Sequence, residues 1–333
     1  PPNSPELSGD EVSGQPKPYS CGNGAFSAVN DAAMNISLAQ THGSAALLGV
    51  PSHGGSLLGY TLQNGKLVGA PTKLRTDEQL TSTASTFVED YIVSASATAD
   101  GSVLVDVISG DLTQRNEVGK VEGTGLSKLP VLHADGAYVL PTTDAQGLHL
   151  NTFDANWSLT SSQLFSSAKP PTGLSGVNMG DEALIAWSAA GSCNLHVVGG
   201  GTVTSMTQSY ACDNPRLAAD VTKGIALMVF DSPEGVKIAG VSHGSLGRAW
   251  LLRGDVSSPR IAFDGTHFWM SFIDLRGQVI VGYLDSDTMD LTSTALSGMS
   301  PERDGFELSI VDGKPWVFAA NADGYAAHRI CVY

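Results

Sequence analysis

The run Asp285-Ser286-Asp287-Thr288-Met289-Asp290 places three carboxylates within six residues. Calcium, a hard cation, takes oxygen ligands of this kind. The run lacks the glycine at the sixth position and the distant glutamate of an EF-hand loop. Aspartates also fill turns simply to hydrogen-bond the backbone. Calcium through Asp285, Asp287 and Asp290 is therefore one reading and a plain turn the other; no organic cofactor is expected. A second set of acids, Asp100, Asp144, Asp231, Glu234, Asp274 and Asp323, falls at the ends of apolar runs or just beyond them. Paired carboxylates carry out glycoside hydrolysis, and an acidic rim attracts a cation or a basic partner. The plainer reading, and the favoured one, is that each acid ends a hairpin.

Aromatic and imidazole residues offer less. Trp187, Trp269 and Trp316 lie inside apolar runs and read as packing, whereas Trp157 and Trp250 have more polar neighbours and are candidates for stacking on sugars. His53 and His243, each followed by glycine, could serve a nucleophile, but no G-x-S-x-G elbow accompanies them. The nearest run, Gly173-Leu174-Ser175-Gly176, has the wrong spacing.

What must position these residues is a repeat. Its clearest copy reads Pro259-Arg260-Ile261-Ala262-Phe263-Asp264-Gly265, then Thr266 to Asp274, Gly277 to Asp285, and Leu291 to Leu296. These are four short strand-like runs separated by Asp/Gly turns, the chemistry hairpins need. The preceding copy starts 44 residues earlier at Pro215-Arg216-Leu217-Ala218. Others begin near Gly176 and Pro130, with weaker ones near Phe87 and Leu38 and a last one near Phe306. Seven copies with a period of about 40–46 residues match four-stranded propeller blades. Apolar residues never recur with helical period over a useful window. Second strands such as Ile225 to Phe230 are continuously apolar, as expected for strands buried on both faces, and third and fourth strands are more mixed. His149, His196 and His328 fall at what reads as one third-strand position.

The Pro-Arg-Ile-Ala-Phe-Asp-Gly-Thr-His-Phe-Trp-Met-Ser-Phe pattern resembles a degenerate blade repeat of secreted β-propeller proteins from myxobacteria and related bacteria. The likeness is clear over residues 215–297 and fades in the first half. It implies a bacterial protein, exported or attached to the envelope, and transfers no catalytic residue.

The four cysteines follow from the blade arrangement. Cys193 opens a third strand and Cys212 closes the fourth, so antiparallel pairing brings them together. The last copy has no fourth strand. If the segment from Tyr19 to Val29 supplies it and covers the open edge, Cys21 meets Cys331 and the ring is closed covalently. No C-x-x-C pair suggests zinc instead. Two disulfides place the protein in an oxidising compartment: secreted, periplasmic or tethered to the cell surface. Residues 1–20 carry five prolines and read as a flexible tether.

Composition excludes several classes. Charged residues make up 15% of 333, against about 25% in an average domain. The formal charge of -15 opposes binding to nucleic acid or anionic lipid. No run approaches the roughly 20 apolar residues of a membrane span. The expectation is an all-β protein, a seven-bladed propeller over residues 21–333. Its expected role is an exported, non-catalytic binding or scaffold module that recognises a protein or polysaccharide at the loop-lined mouth. A glycoside hydrolase or lyase using rim carboxylates and a structural part of an envelope assembly are the alternatives.

Overall fold

The computed structural model describes residues 16–27, 34–41, 44–51, 55–63, 66–76, 79–242, 245–284, 290–299, 301, 305–321 and 324–332. Asp285, Asp287, Asp323, His53 and His243 lie outside them. Among the described residues there is no helix, and so none long and apolar enough to cross a membrane.

The chain forms seven antiparallel sheets. Blades I to VI are consecutive meanders over residues 34–73, 80–122, 125–166, 171–211, 213–253 and 256–295. Blade VII combines Phe306–Val311, Lys314–Asn321 and Gly324–Val332 with the N-terminal strand Pro18–Ser27 as its outer member. Inner strands contact one another in chain order, and that of blade VII returns to blade I. The fold is a seven-bladed β-propeller. Its closing strand already begins at Pro18, and the Tyr283 hydroxyl donates to the Pro16 carbonyl at 2.7 Å. Pro18–Ser20, expected within the tether, therefore belong to the closing strand.

Hydrophobic burial is distributed rather than central. Each of seven apolar clusters joins one pair of neighbouring blades, including VI to VII and VII to I. Second strands supply both faces, as the continuous burial of Phe268–Asp274 illustrates. Trp187, Trp269 and Trp316 are buried in these clusters. Third strands vary: Val279–Leu284 is buried throughout, whereas Ser192–Gly199 mixes buried and half-buried positions as expected. Exposure is greatest in outer strands such as Leu159–Ser166, nearly all exposed.

Both disulfides form, with Cα–Cα separations of 5.7 Å for Cys21–Cys331 and 5.5 Å for Cys193–Cys212. The register passes from Ser20↔Ile330 to Gly22↔Arg329, so Cys21 is a bulged residue. A bulge re-aims a side chain at a sheet edge, here toward Cys331.

The third-strand histidines are not all equivalent. His196 and His328 each face the fourth residue of their second strand, Ile185 and Val317. The matching positions in blades II and III hold Asp106 and Asn151. His149 lies two residues earlier, opposite Thr142. The four equivalent side chains are all buried and polar. Asp106 is held by Arg75 through two bonds of 2.6 and 2.8 Å and by Arg115 at 2.8 Å. In these four blades the position carries a buried polar group, whereas blades V and VI place Ala239 and Val281 there.

Candidate functional site

The inner strands surround an axial cavity of about 460 Å³. Serines stitch neighbouring blades around it: Ser37 Oγ accepts from Ser85 N–H at 2.7 Å, Ser127 Oγ from Gly176 N–H at 2.9 Å, and Ser175 Oγ from Leu217 N–H at 3.0 Å. The rest of the lining is mostly apolar, Phe87, Ile261 and Phe263 among it, and carries four charged side chains, Lys128, Arg216, Arg260 and Glu307. Among the described lining residues that is three cations and one carboxylate, inside a chain of net charge -15.

Local sequence explains how each charge arrives. The inner strand of blade III is broken between Gly125–Leu126 and Leu132–Ala134, both pieces pairing with the second strand. Pro130, which has no N–H to offer a ladder, lies in the gap, and the gap carries Lys128 into the cavity. Arg216 and Arg260 are the arginines of the two Pro-Arg repeats. Arg216 Nη1 donates to the Leu174 carbonyl of the preceding blade at 3.3 Å and to the Pro215 carbonyl at 3.0 Å. Arg260 Nη1 donates to the Pro259 carbonyl at 3.1 Å, and its guanidinium lies 4.5 Å from the ring centre of Phe306 in the next blade. These contacts hold the planar groups by their edges and faces.

Lys128 Nζ lies 2.6 Å from Glu307 Oε2. At that distance the two form a close ion pair. Burial lowers the Lys128 ammonium below the usual lysine range; Glu307 opposes this, and Arg260 and Arg216 add to it. The cations therefore share one electrostatic site. An anion entering the cavity would be drawn to this set of cations.

The rim acids are placed differently. Asp100, Asp144, Asp231, Glu234 and Asp274 all sit at second-to-third-strand connections, each engaged within the protein. Asp100 accepts from the Thr98 hydroxyl and from Ser102 N–H and pairs with Lys120. These bonds, led by that of Thr98, hold its carboxyl down at about 2. Asp231 accepts from Asn214 Nδ2 at 3.2 Å and from Ser258 N–H of the next blade at 3.0 Å. Asp274 accepts from Gln278 and Arg276 N–H and pairs with the Arg276 side chain. Its carboxyl is lowered chiefly by the Gln278 bond. Glu234 pairs with Lys237. Asp144 bonds its own turn and contacts His149.

The remaining candidates are scattered. Trp157 lies in a third-to-outer-strand turn at the opposite end of its blade from Asp144, stacked on Tyr138 with ring centres 4.4 Å apart. Trp250 lies in the outer strand Trp250–Arg253 of blade V, half-buried against the apolar cluster shared with blade VI. Neither joins the acids in a cleft. Asp290 is half-buried.

Sequence reasoning passed over Lys128, Arg216, Arg260 and Glu307 as site residues. Pro215-Arg216 and Pro259-Arg260 were visible as the repeat signature, and a charged residue recurring in an apolar inner strand was the available signal. Lys128 and Glu307 carry no such mark. No protein-family model matches the chain, and no curated protein matches it.

Proposed function

We propose that the protein is an exported, non-catalytic binding module whose axial cavity receives a carboxylate presented by a partner protein. The observation that carries this reading is that Lys128, Arg216 and Arg260 line one axial cavity of an acidic molecule. A polyanionic sugar chain would meet repulsion from the net charge of -15 along its length. A peptide with one acidic side chain or a free C-terminus meets it far less. Export is supported by the two disulfides, which persist in oxidising compartments.

The glycosidase alternative gains nothing from the rim. A general acid needs a raised pKa, whereas the Asp100, Asp144 and Asp274 carboxyls are all lowered.

The test is selection from a random peptide display library, with an array of neutral and acidic glycans alongside. Selected peptides should lose at least about tenfold in affinity when their acidic group is amidated, and similarly against Arg216→Gln/Arg260→Gln protein. Peptides indifferent to both changes would overturn the cavity assignment. Binding confined to acidic glycans would overturn the choice of a protein partner.

A further inference from the structure

We propose that Glu122, Asp144 and His149 form a binding site for a divalent transition-metal ion, joining blade II to blade III. One carboxylate oxygen from each acid and one imidazole nitrogen all lie within 4.8 Å of one another. The three residues come from separate elements, so their convergence belongs to the fold. Glu122 ends the outer strand Arg115–Glu122 of blade II. Asp144 occupies the turn between the second and third strands of blade III, and His149 belongs to that third strand, Gly147–Phe153.

The backbone fixes their approach. Thr142, directly opposite His149, donates through Oγ1 to the Glu122 carbonyl at 2.7 Å. Thr124 N–H then bonds the Thr143 carbonyl at 2.7 Å. Gly123 between them has φ +144°, and a Cβ there would come within 2.6 Å of the Thr142 Cβ. Glycine is thus required for blade II to end so close to blade III.

Two further observations point to a ligand. Asp144 divides its oxygens: Oδ1 accepts from Gln146 and Gly147 N–H at 2.7 and 3.2 Å and completes the turn, leaving Oδ2 for the cluster. His149 is 4% exposed, and its Nε2 is buried without a hydrogen bond. That nitrogen lies 3.0 Å from Asp144 Oδ2, close enough for an ion pair but off the line a ring N–H needs for a hydrogen bond. Two lone-pair atoms converging in this way on a third, exposed carboxylate suit a shared cation. Imidazole with carboxylates favours zinc or a neighbouring transition metal over calcium or magnesium, which prefer oxygen alone. Exposure of Glu122 leaves further positions to water.

The experiment uses the full chain, untagged and stripped with chelator, titrated with ZnCl2 by calorimetry and melted with and without Zn2+. One equivalent should bind at this site and raise the melting temperature by a few degrees. Glu122→Gln, an isosteric change at an exposed side chain, should weaken binding at least about tenfold and abolish the thermal shift. His149→Gln should do the same, and Glu122→Gln decides if that variant fails to fold. Stoichiometry and affinity unchanged in Glu122→Gln would place the ion elsewhere and overturn the proposal. So would the absence of any Zn2+-dependent shift in the unsubstituted protein. Neither result depends on the axial cavity.

Discussion

Blades IV and VII share a four-stranded plan, a buried second-strand tryptophan and a histidine at the same third-strand position, yet they are assembled from different stretches of chain. Blade IV is one contiguous meander in which a turn joins Ser192–Gly199 to Thr202–Ala211. Its disulfide ties the open end of that hairpin. Blade VII takes its outer strand from the opposite terminus, and Cys21–Cys331 links the end of the third strand to the start of the outer one. That is where blade IV has its turn, so the bond replaces a missing hairpin connection. The histidines repeat the contrast. His196 Nε2 accepts from the Trp187 indole N–H at 2.9 Å, which leaves Nδ1–H to donate to Ser205 Oγ at 2.8 Å, all within one blade. His328 Nδ1 meets Ser20 Oγ at 2.9 Å across the seam between the termini. One plan is therefore held by local closure in one place and by long-range closure in another.

The sharpest way to break this comparison is to open the seam. Cys331→Ser removes a link spanning 310 residues, and the chain-entropy argument gives a loss of up to about 5 kcal/mol. Denaturant unfolding under non-reducing conditions reads it. Cys212→Ser removes a link over 19 residues, for which the same argument gives roughly 3 kcal/mol. If the blade IV variant proved the less stable, the seam would not be the weak point of the ring.

The histidines sharpen the comparison through pH. Burial pushes His196 down to about 4, and His328 is lowered by burial as well. The unfolded chain takes up these protons first, near 6.5. Stability is therefore full above about pH 6.5 and falls as the pH drops toward 4. His196 contributes on the order of 2–3 kcal/mol to that fall. His196→Gln should flatten the slope of unfolding free energy between pH 6.5 and 4, and His328→Gln should flatten it less. Equal slopes in all three proteins would mean that neither imidazole is held neutral by the fold.

Much of this architecture was legible in the chain. The Pro-Arg repeats and the seven second-strand runs carry blade number and strand order, and strand order implies both disulfides. Phe268 to Asp274 could be read because a strand buried on two faces must be apolar along its length. The sites were less legible, since they depend on which residues meet across blades. Asp100 and Asp274 were visible as turn acids, but their hydrogen bonds, and hence their depressed pKa values, were not. Lys128 enters the axial cavity only because the inner strand breaks before Pro130, and Glu122 reaches His149 only because blade II ends against Thr142.

Periodicity and turn chemistry are local properties, so the sequence by itself determined a seven-bladed ring, its closing strand and its cysteine pairs. Only the tertiary structure decided that three cations and a glutamate share the axis and that two acids and an imidazole converge between blades II and III. Such contacts join residues far apart in the chain, from Lys128 to Glu307 across the axis. They are set by how blades pack around a common centre, which no single repeat encodes.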